Sequence, residues 1–141
     1  MRAVAKAAIV DSGVWIAAKH ASDQYYEKAA RIISAWEGNS IGYVFITDYV
    51  VVETANFLLR KTSFETALEA VKMLTESERI RVRYVDKLMY AAIMRLFQQY
   101  KSLSIADCSL IALAEEEGIS TIFSFDTTFD KVKGISRRET P

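Results

Sequence analysis

Four carboxylates in this chain have nothing nearby to neutralise them: Asp11, Glu53, Asp107 and Asp126. In helical register the neighbours of Glu53 are Tyr49, Val50, Asn56 and Phe57, and those of Asp107 are Leu103, Ser104, Leu110 and Ile111. Neither acid has a basic residue three or four positions away. Asp126 lies among Phe123, Phe125 and Phe129. If the fold gathers such acids they repel, by roughly 3 kcal/mol for two charges about 5 Å apart at an effective dielectric of about 20. A cluster is tolerable only if some members protonate or a cation binds. An all-oxygen donor set without His or Cys selects Mg²⁺ or Mn²⁺ over zinc.

Whether the four meet depends on the elements that carry them. Ala7 to Asp11 reads as a short buried strand ending in Asp11, followed by a helical segment that carries Trp15 and Ile16. Gln24 to Glu37 has Ala29, Ile32, Ile33 and Trp36 at helical spacing, and Gly38 and Gly42 bracket the next turn. Tyr43 to Ile46 is the second strand. Thr47 or Asp48 then caps a helix to about Lys61, and Thr62 or Ser63 caps another to about Thr75. Arg79 to Val85 is the third strand, and Asp86 caps a helix to about Tyr100. Ser104 opens a helix over Ile105–Glu117 that Gly118 ends. Ser120 to Phe123 is the fourth strand, with a short fifth around Ile135 to Arg138.

Strands joined by helical crossovers must be largely parallel. The expected fold is therefore an α/β, three-layer α/β/α sandwich on a mainly parallel sheet. Ligands of such sheets bind beyond the carboxyl ends of the strands. Asp11 ends strand one at that edge. Glu53 lies in the second turn of the helix that follows strand two. Asp107 opens a helix that must run back to the amino edge to deliver strand four, so its first turn starts at the carboxyl edge. Asp126 follows strand four.

Each acid also has an ordinary structural reading. Asp11-Ser12 can cap a helix, Ser104-Ile105-Ala106-Asp107 fits a capping box, and Asp126 can be a turn aspartate. Glu53 resists this treatment, being read as a buried glutamate without a partner, which costs several kcal/mol. The conjunction of four favours a site.

Bulk properties set the frame. The 141 residues suit one domain spanning 1–141, with 51% hydrophobic and 26% charged residues, enough for a single core. Zero net charge argues against a protein that coats nucleic acid by bulk electrostatics, but not against one that meets it through bound cations. The one cysteine, Cys108, excludes an intrachain disulfide and a cysteine zinc site, and is read as packing. His20, the one histidine, is read as a surface residue in a polar helical stretch. The start, Met1 to Ala8, is read as carrying no targeting segment or membrane span, so a cytoplasmic location is expected.

Four stretches in order resemble the PIN-domain family, and within it the single-domain VapC-type toxin ribonucleases. They are Ile9-Val10-Asp11-Ser12, Thr47-Asp48-Tyr49-Val50-Val51-Val52-Glu53, Leu103-Ser104-Ile105-Ala106-Asp107-Cys108-Ser109-Leu110-Ile111-Ala112-Leu113-Ala114, and Ile122-Phe123-Ser124-Phe125-Asp126-Thr127-Thr128-Phe129. The likeness covers nearly the whole chain. It implies five strands in the order 3-2-1-4-5, with Asp11, Glu53, Asp107 and Asp126 as the acidic site. It also implies Ser12 as an auxiliary hydroxyl, and Mg²⁺ or Mn²⁺ as cofactor for hydrolysis of RNA phosphodiester bonds. Where many relatives have an acid just before the phenylalanine matching Phe129, this chain has Thr128; Asp130, after it, is read as surface.

The same resemblance implies a homodimer and a cognate antitoxin as partner in a type II toxin–antitoxin pair. Tyr25, Tyr26 and Trp36 are candidates for a protein interface. Arg79, Arg81 and Arg83 alternate on one face of strand three, either to grip RNA or, as favoured, to protect an edge strand by charge. Lys131, Lys133, Arg137 and Arg138 add charge near the C-terminus. Alternatives are a stand-alone PIN nuclease in RNA processing and an inactive PIN-like protein-binding module. A receiver-like signalling module would need an adjacent acidic pair near strand one, and Asp11 stands alone.

Overall fold

The middle of the sheet is β1 (Ala7–Val10), a run of small and branched apolar residues whose last three are buried. That pattern belongs to a strand covered on both faces. It pairs with β2 (Tyr43–Thr47) on one side and β4 (Thr121–Phe123) on the other, with Ile9 opposite both Phe45 and Ile122. With β3 (Ile80–Arg83) and β5 (Ser136–Arg138) outermost, the sheet is five-stranded and parallel throughout, in the order β3-β2-β1-β4-β5. The computed structural model describes residues 6–141; Met1 to Ala5, most of the N-terminal stretch read for targeting, lies outside the described residues.

Six helices connect the strands: α1 (Ser12–Ala18), α2 (Tyr26–Glu37), α3 (Asp48–Lys61), α4 (Phe64–Glu76), α5 (Lys87–Gln99) and α6 (Ile105–Glu117). Right-handed crossovers put α1 to α4 on one face and α5 and α6 on the other. The core between the layers holds Trp15, Ile9, Ile32, Ile46, Leu110 and Ile122, all fully buried. No helix among the described residues is long and apolar enough to cross a membrane.

Several boundaries follow from local hydrogen bonds. The carboxylate of Asp23 accepts the Tyr25 N–H at 2.8 Å, and this turn delays α2 until Tyr26. Ser63 caps α4 through the Thr66 N–H, and Asp86 caps α5 through the Met89 N–H. Thr47 holds the N-cap position of α3 without capping it. Its hydroxyl lies 2.7 Å from that of Ser109, a buried brace between α3 and α6, while Asp48 accepts the Val85 N–H instead. Gly118 ends α6 in the left-handed region at φ 67°. At Gly42, φ is 89° and a Cβ would overlap the Lys6 carbonyl, so only glycine lets the Tyr43 N–H reach that oxygen at 3.0 Å.

Three expectations need correction. Trp36 is 5% exposed and meets the Trp15 ring edge-on at 5.8 Å, so it belongs to the core and not to an interface. His20 sits in the turn after α1, half-buried with its ring 6.4 Å from that of Phe57, and not in a helix. β3 is shorter than Arg79–Val85, and the three arginines of that stretch are each engaged within the protein. Arg79 donates to the Trp36 and Glu37 carbonyls, Arg81 lies over Tyr43, and Arg83 pairs with Glu116 and Asp86. The edge-strand reading fits this arrangement, because β3 is the sheet's outer strand. Cys108 is buried as expected; burial, then the Asp107 charge, push its thiol up to about 11.

Candidate active site

Asp11 takes the first position beyond β1, where its N–H still bonds the Phe123 carbonyl at 3.0 Å. It is also the N-cap of α1, so one residue ends the strand and opens the helix. Its Oδ1 accepts the Ser12 N–H at 2.8 Å and its Oδ2 accepts the Ser124 hydroxyl at 2.8 Å. With only 7% of its surface exposed, the carboxyl is nonetheless pushed up to about 7. Burial is the main cause and the nearby Asp107 charge the next; Glu53 adds to them, and the two serine hydrogen bonds pull the other way.

Asp107 is the third residue of α6 and completes the capping box. Its Oδ2 accepts the Ser104 N–H at 3.1 Å while its own N–H donates to the Ser104 hydroxyl at 3.0 Å. The structural reading of this motif therefore holds, and it uses one carboxylate oxygen. Oδ1 has no hydrogen-bond partner among the described residues. Burial raises this carboxyl above its ordinary value, helped by Asp126 and Glu53 and opposed by the Ser104 bonds.

Glu53 and Asp126 differ from what their apolar sequence neighbours suggest, since both are exposed. The cost of a buried glutamate therefore does not apply to Glu53; it stands at the rim and accepts the Ser12 hydroxyl. Ser12 thus bridges Asp11 and Glu53. Asp126 caps the 3₁₀ turn Thr127–Lys131, its Oδ1 accepting both the N–H and the hydroxyl of Thr128. Thr128 supplies no acid, but it orients one.

All four acids and Ser12 line one cleft of about 500 Å³, and among the described residues no lysine or arginine lines it. None of the four takes part in an ion pair among the described residues. Asp130 is not in the lining and pairs with Arg137. The carboxylates share the cleft without closing into a cage, since among the described residues no three stand together as a finished ligand set. The donor chemistry nonetheless fits a hard divalent cation: oxygen ligands only, one free oxygen on buried Asp107, and an Asp11 carboxyl raised by burial and then by its acidic neighbours.

Ser124 escaped the sequence reading. It is 0% exposed and ties two acids together, donating to Asp11 Oδ2 while accepting the Asp126 N–H at 3.0 Å. Arg137 anchors it from β5 by donating to its carbonyl. A serine two places before an aspartate is the only local signal, and the partner that matters lies 113 positions away. Ser124→Ala is expected to cost about 1–3 kcal/mol in urea unfolding, because both bonds are lost in a buried place. The same variant is expected to slow any chemistry at Asp11 roughly tenfold or more, and Ser124→Thr to restore most of it. Cleavage and unfolding unchanged in Ser124→Ala would refute this role. Asp23, Tyr25, Phe57 and Phe125 also line the cleft and were not assigned to it from sequence.

Comparison with known proteins agrees with this architecture. Among solved structures, the chain resembles VapC20 of Mycobacterium tuberculosis, described as a sarcin-ricin loop cleaving toxin. The TM-score is 0.78 at 22% identity, over 87% of this chain and 92% of that one. A toxin–antitoxin complex from Klebsiella pneumoniae matches at a TM-score of 0.66 and 16% identity, over 92% of this chain and 95% of that one. VapBC2 from Rickettsia felis, bound to a DNA fragment from its promoter, matches at 0.65 and 10% identity, over 94% and 97%. No curated protein matches in sequence. The family model of the PIN domain matches residues 8–135, nearly the whole chain and every element that carries an acid, and the chain belongs to the PIN-domain family.

Proposed function

We propose that the protein is a divalent-metal-dependent endoribonuclease that hydrolyses RNA phosphodiester bonds, and that it is the toxin of a type II toxin–antitoxin pair. The observation that carries the chemistry is a cleft where Asp11, Glu53, Asp107 and Asp126 meet and that no cationic side chain lines among the described residues. Asp11, Asp107, Glu53 and Asp126 would hold Mg²⁺ or Mn²⁺, which supplies water activation and neutralises charge on the phosphate. Asp11 would be one of the ligands, its two oxygens fixed by Ser12 and Ser124. Asp107 offers the oxygen that its capping box leaves free. The Ser12 hydroxyl, between Asp11 and Glu53, holds the Glu53 carboxylate over the cleft.

RNA as substrate is supported by the likeness to VapC20, whose description names the sarcin-ricin loop. The likeness to two toxin–antitoxin assemblies supports an antitoxin as partner. A homodimer acting in the cytoplasm completes the reading. Exposed Val52, Leu59, Phe64 and Leu68 on α3 and α4 provide apolar area for such contacts.

The test is incubation of the purified protein with single-stranded and structured RNA in Mg²⁺ or Mn²⁺, with and without EDTA. Cleavage that stops in EDTA supports the reading. Cleavage that persists in EDTA, or no cleavage of any RNA by folded, antitoxin-free protein, counts against it.

A further inference from the structure

The rings of Tyr25 and Phe125 are stacked in the cleft wall, with centroids 4.4 Å apart and planes within 10° of parallel. They come from distant parts of the chain: Tyr25 is the N-cap residue of α2, and Phe125 lies between Ser124 and Asp126. Both are half-buried, so the pair packs on the core and still presents surface to the cleft. Its position is tied to the carboxylates. Ser124, immediately before Phe125, bonds Asp11, and the Asp126 N–H, immediately after it, bonds Ser124. Asp23 fixes the other ring's backbone through the Tyr25 N–H.

We propose that this aromatic pair is a stacking platform for one unpaired base of the RNA, seated beside the acidic cluster. The inference rests on the nuclease reading and narrows its substrate to nucleotides outside a double helix. Among the described residues no lysine or arginine lines the cleft, so none of them grips the phosphates there. Beyond what a bound cation contributes at the phosphate, the cleft offers the RNA its aromatic surface, and a flat aromatic surface binds any base through its π-face. Inside a duplex both faces of a base are already covered by its neighbours, so only a looped, bulged or single-stranded nucleotide can use the platform. The cleft volume of about 500 Å³ lies in the range of pockets that enclose a small ligand.

The test scans a cleavable single-stranded RNA with one abasic nucleotide at each position in turn, using wild-type protein, Tyr25→Leu and Tyr25→Phe. In the wild type, one abasic position near the cut is expected to raise KM about tenfold with kcat nearly unchanged. Tyr25→Leu is expected to show the same rise on intact RNA and no further loss at that abasic position, and Tyr25→Phe to behave as wild type. Fluorescence anisotropy with labelled single-stranded and duplex RNA, in the Asp107→Asn background with and without Tyr25→Leu, reads binding independently of turnover. Cleavage indifferent to every abasic position, or equal binding of duplex and single strand, overturns the platform and leaves the nuclease reading intact. Single-strand binding that depends on Tyr25 without cleavage by wild-type protein upholds the platform and overturns the nuclease. Neither cleavage nor binding overturns both. The abasic scan needs only wild-type protein, so it decides the matter even if Tyr25→Leu fails to fold.

Discussion

Asp107→Asn is expected to lower metal-dependent RNA cleavage by about a hundredfold or more and to leave the melting temperature unchanged or raised. The two halves of this expectation come from the two oxygens of one carboxylate. Oδ2 accepts the Ser104 N–H, and an asparagine carbonyl oxygen can do the same. The reciprocal bond, from the Asp107 N–H to the Ser104 hydroxyl, is made by the backbone and survives any substitution that keeps the helix. The capping box is therefore retained, and asparagine and aspartate are near-equals in such local roles. The free Oδ1 loses its charge, as does the site, where burial and neighbouring acids already disfavour that charge. A purely structural aspartate would give the opposite result, with little change in cleavage. Retained cleavage in a folded Asp107→Asn protein would remove Asp107 from the chemistry and leave it a cap alone. Loss of both fold and cleavage would show that the charged form is structural.

The fold was legible where a continuous apolar run or a pair of cap residues marks an element. β1 and β4 read as strands because their apolar runs are continuous, and α6 as a helix because Ser104 and Gly118 punctuate it. The acids stood out because their helical neighbours include no cation. What their surroundings could not tell is depth. The apolar residues around Glu53 mark α3 as a packed helix, but Glu53 itself lies on the exposed side. Trp36 failed in the reverse sense: an aromatic on an amphipathic helix was open to use at an interface, and the Trp15 ring that covers it comes from α1. The Ser124–Asp11 bond and the Tyr25–Phe125 stack were out of reach for a common reason. Each joins segments about a hundred residues apart, and such pairings appear only when the strand order is turned into coordinates.

In the metal-free protein, stability is expected to fall as pH rises from about 4 to about 7, and Asp11→Asn is expected to remove most of that slope. The carboxyl of Asp11 is raised to about 7 in the folded state and titrates near its ordinary value of about 4 when unfolded. Between these values the folded chain holds a proton that the unfolded chain has released, so each step up in pH favours unfolding. The stabilising contribution is whole below the unfolded value and gone above the folded one. A shift of this size corresponds to at most roughly 4 kcal/mol. Asp107, raised in the same direction, adds to it. Glu69, Asp86 and Glu139 act oppositely, held below their ordinary values by Lys19, by the Met89 N–H and by Arg137 respectively. All three are on the surface, and their contribution is lost only as pH falls through the ordinary carboxylate range, below the window in question. Thermal melts in EDTA across pH 5 to 8 are the measurement. At the upper end Asp11→Asn should melt several degrees above wild type, since asparagine keeps the cap on the Ser12 N–H without the buried charge. Mg²⁺ or Mn²⁺ should then stabilise wild type most where Asp11 is ionised, and stabilise Asp11→Asn least. A wild-type protein whose melting temperature is flat over this range, or an Asp11→Asn protein that melts lower at its alkaline end, would mean that Asp11 already has a compensating partner. The strongest physical reason to place a cation in the cleft would then be gone.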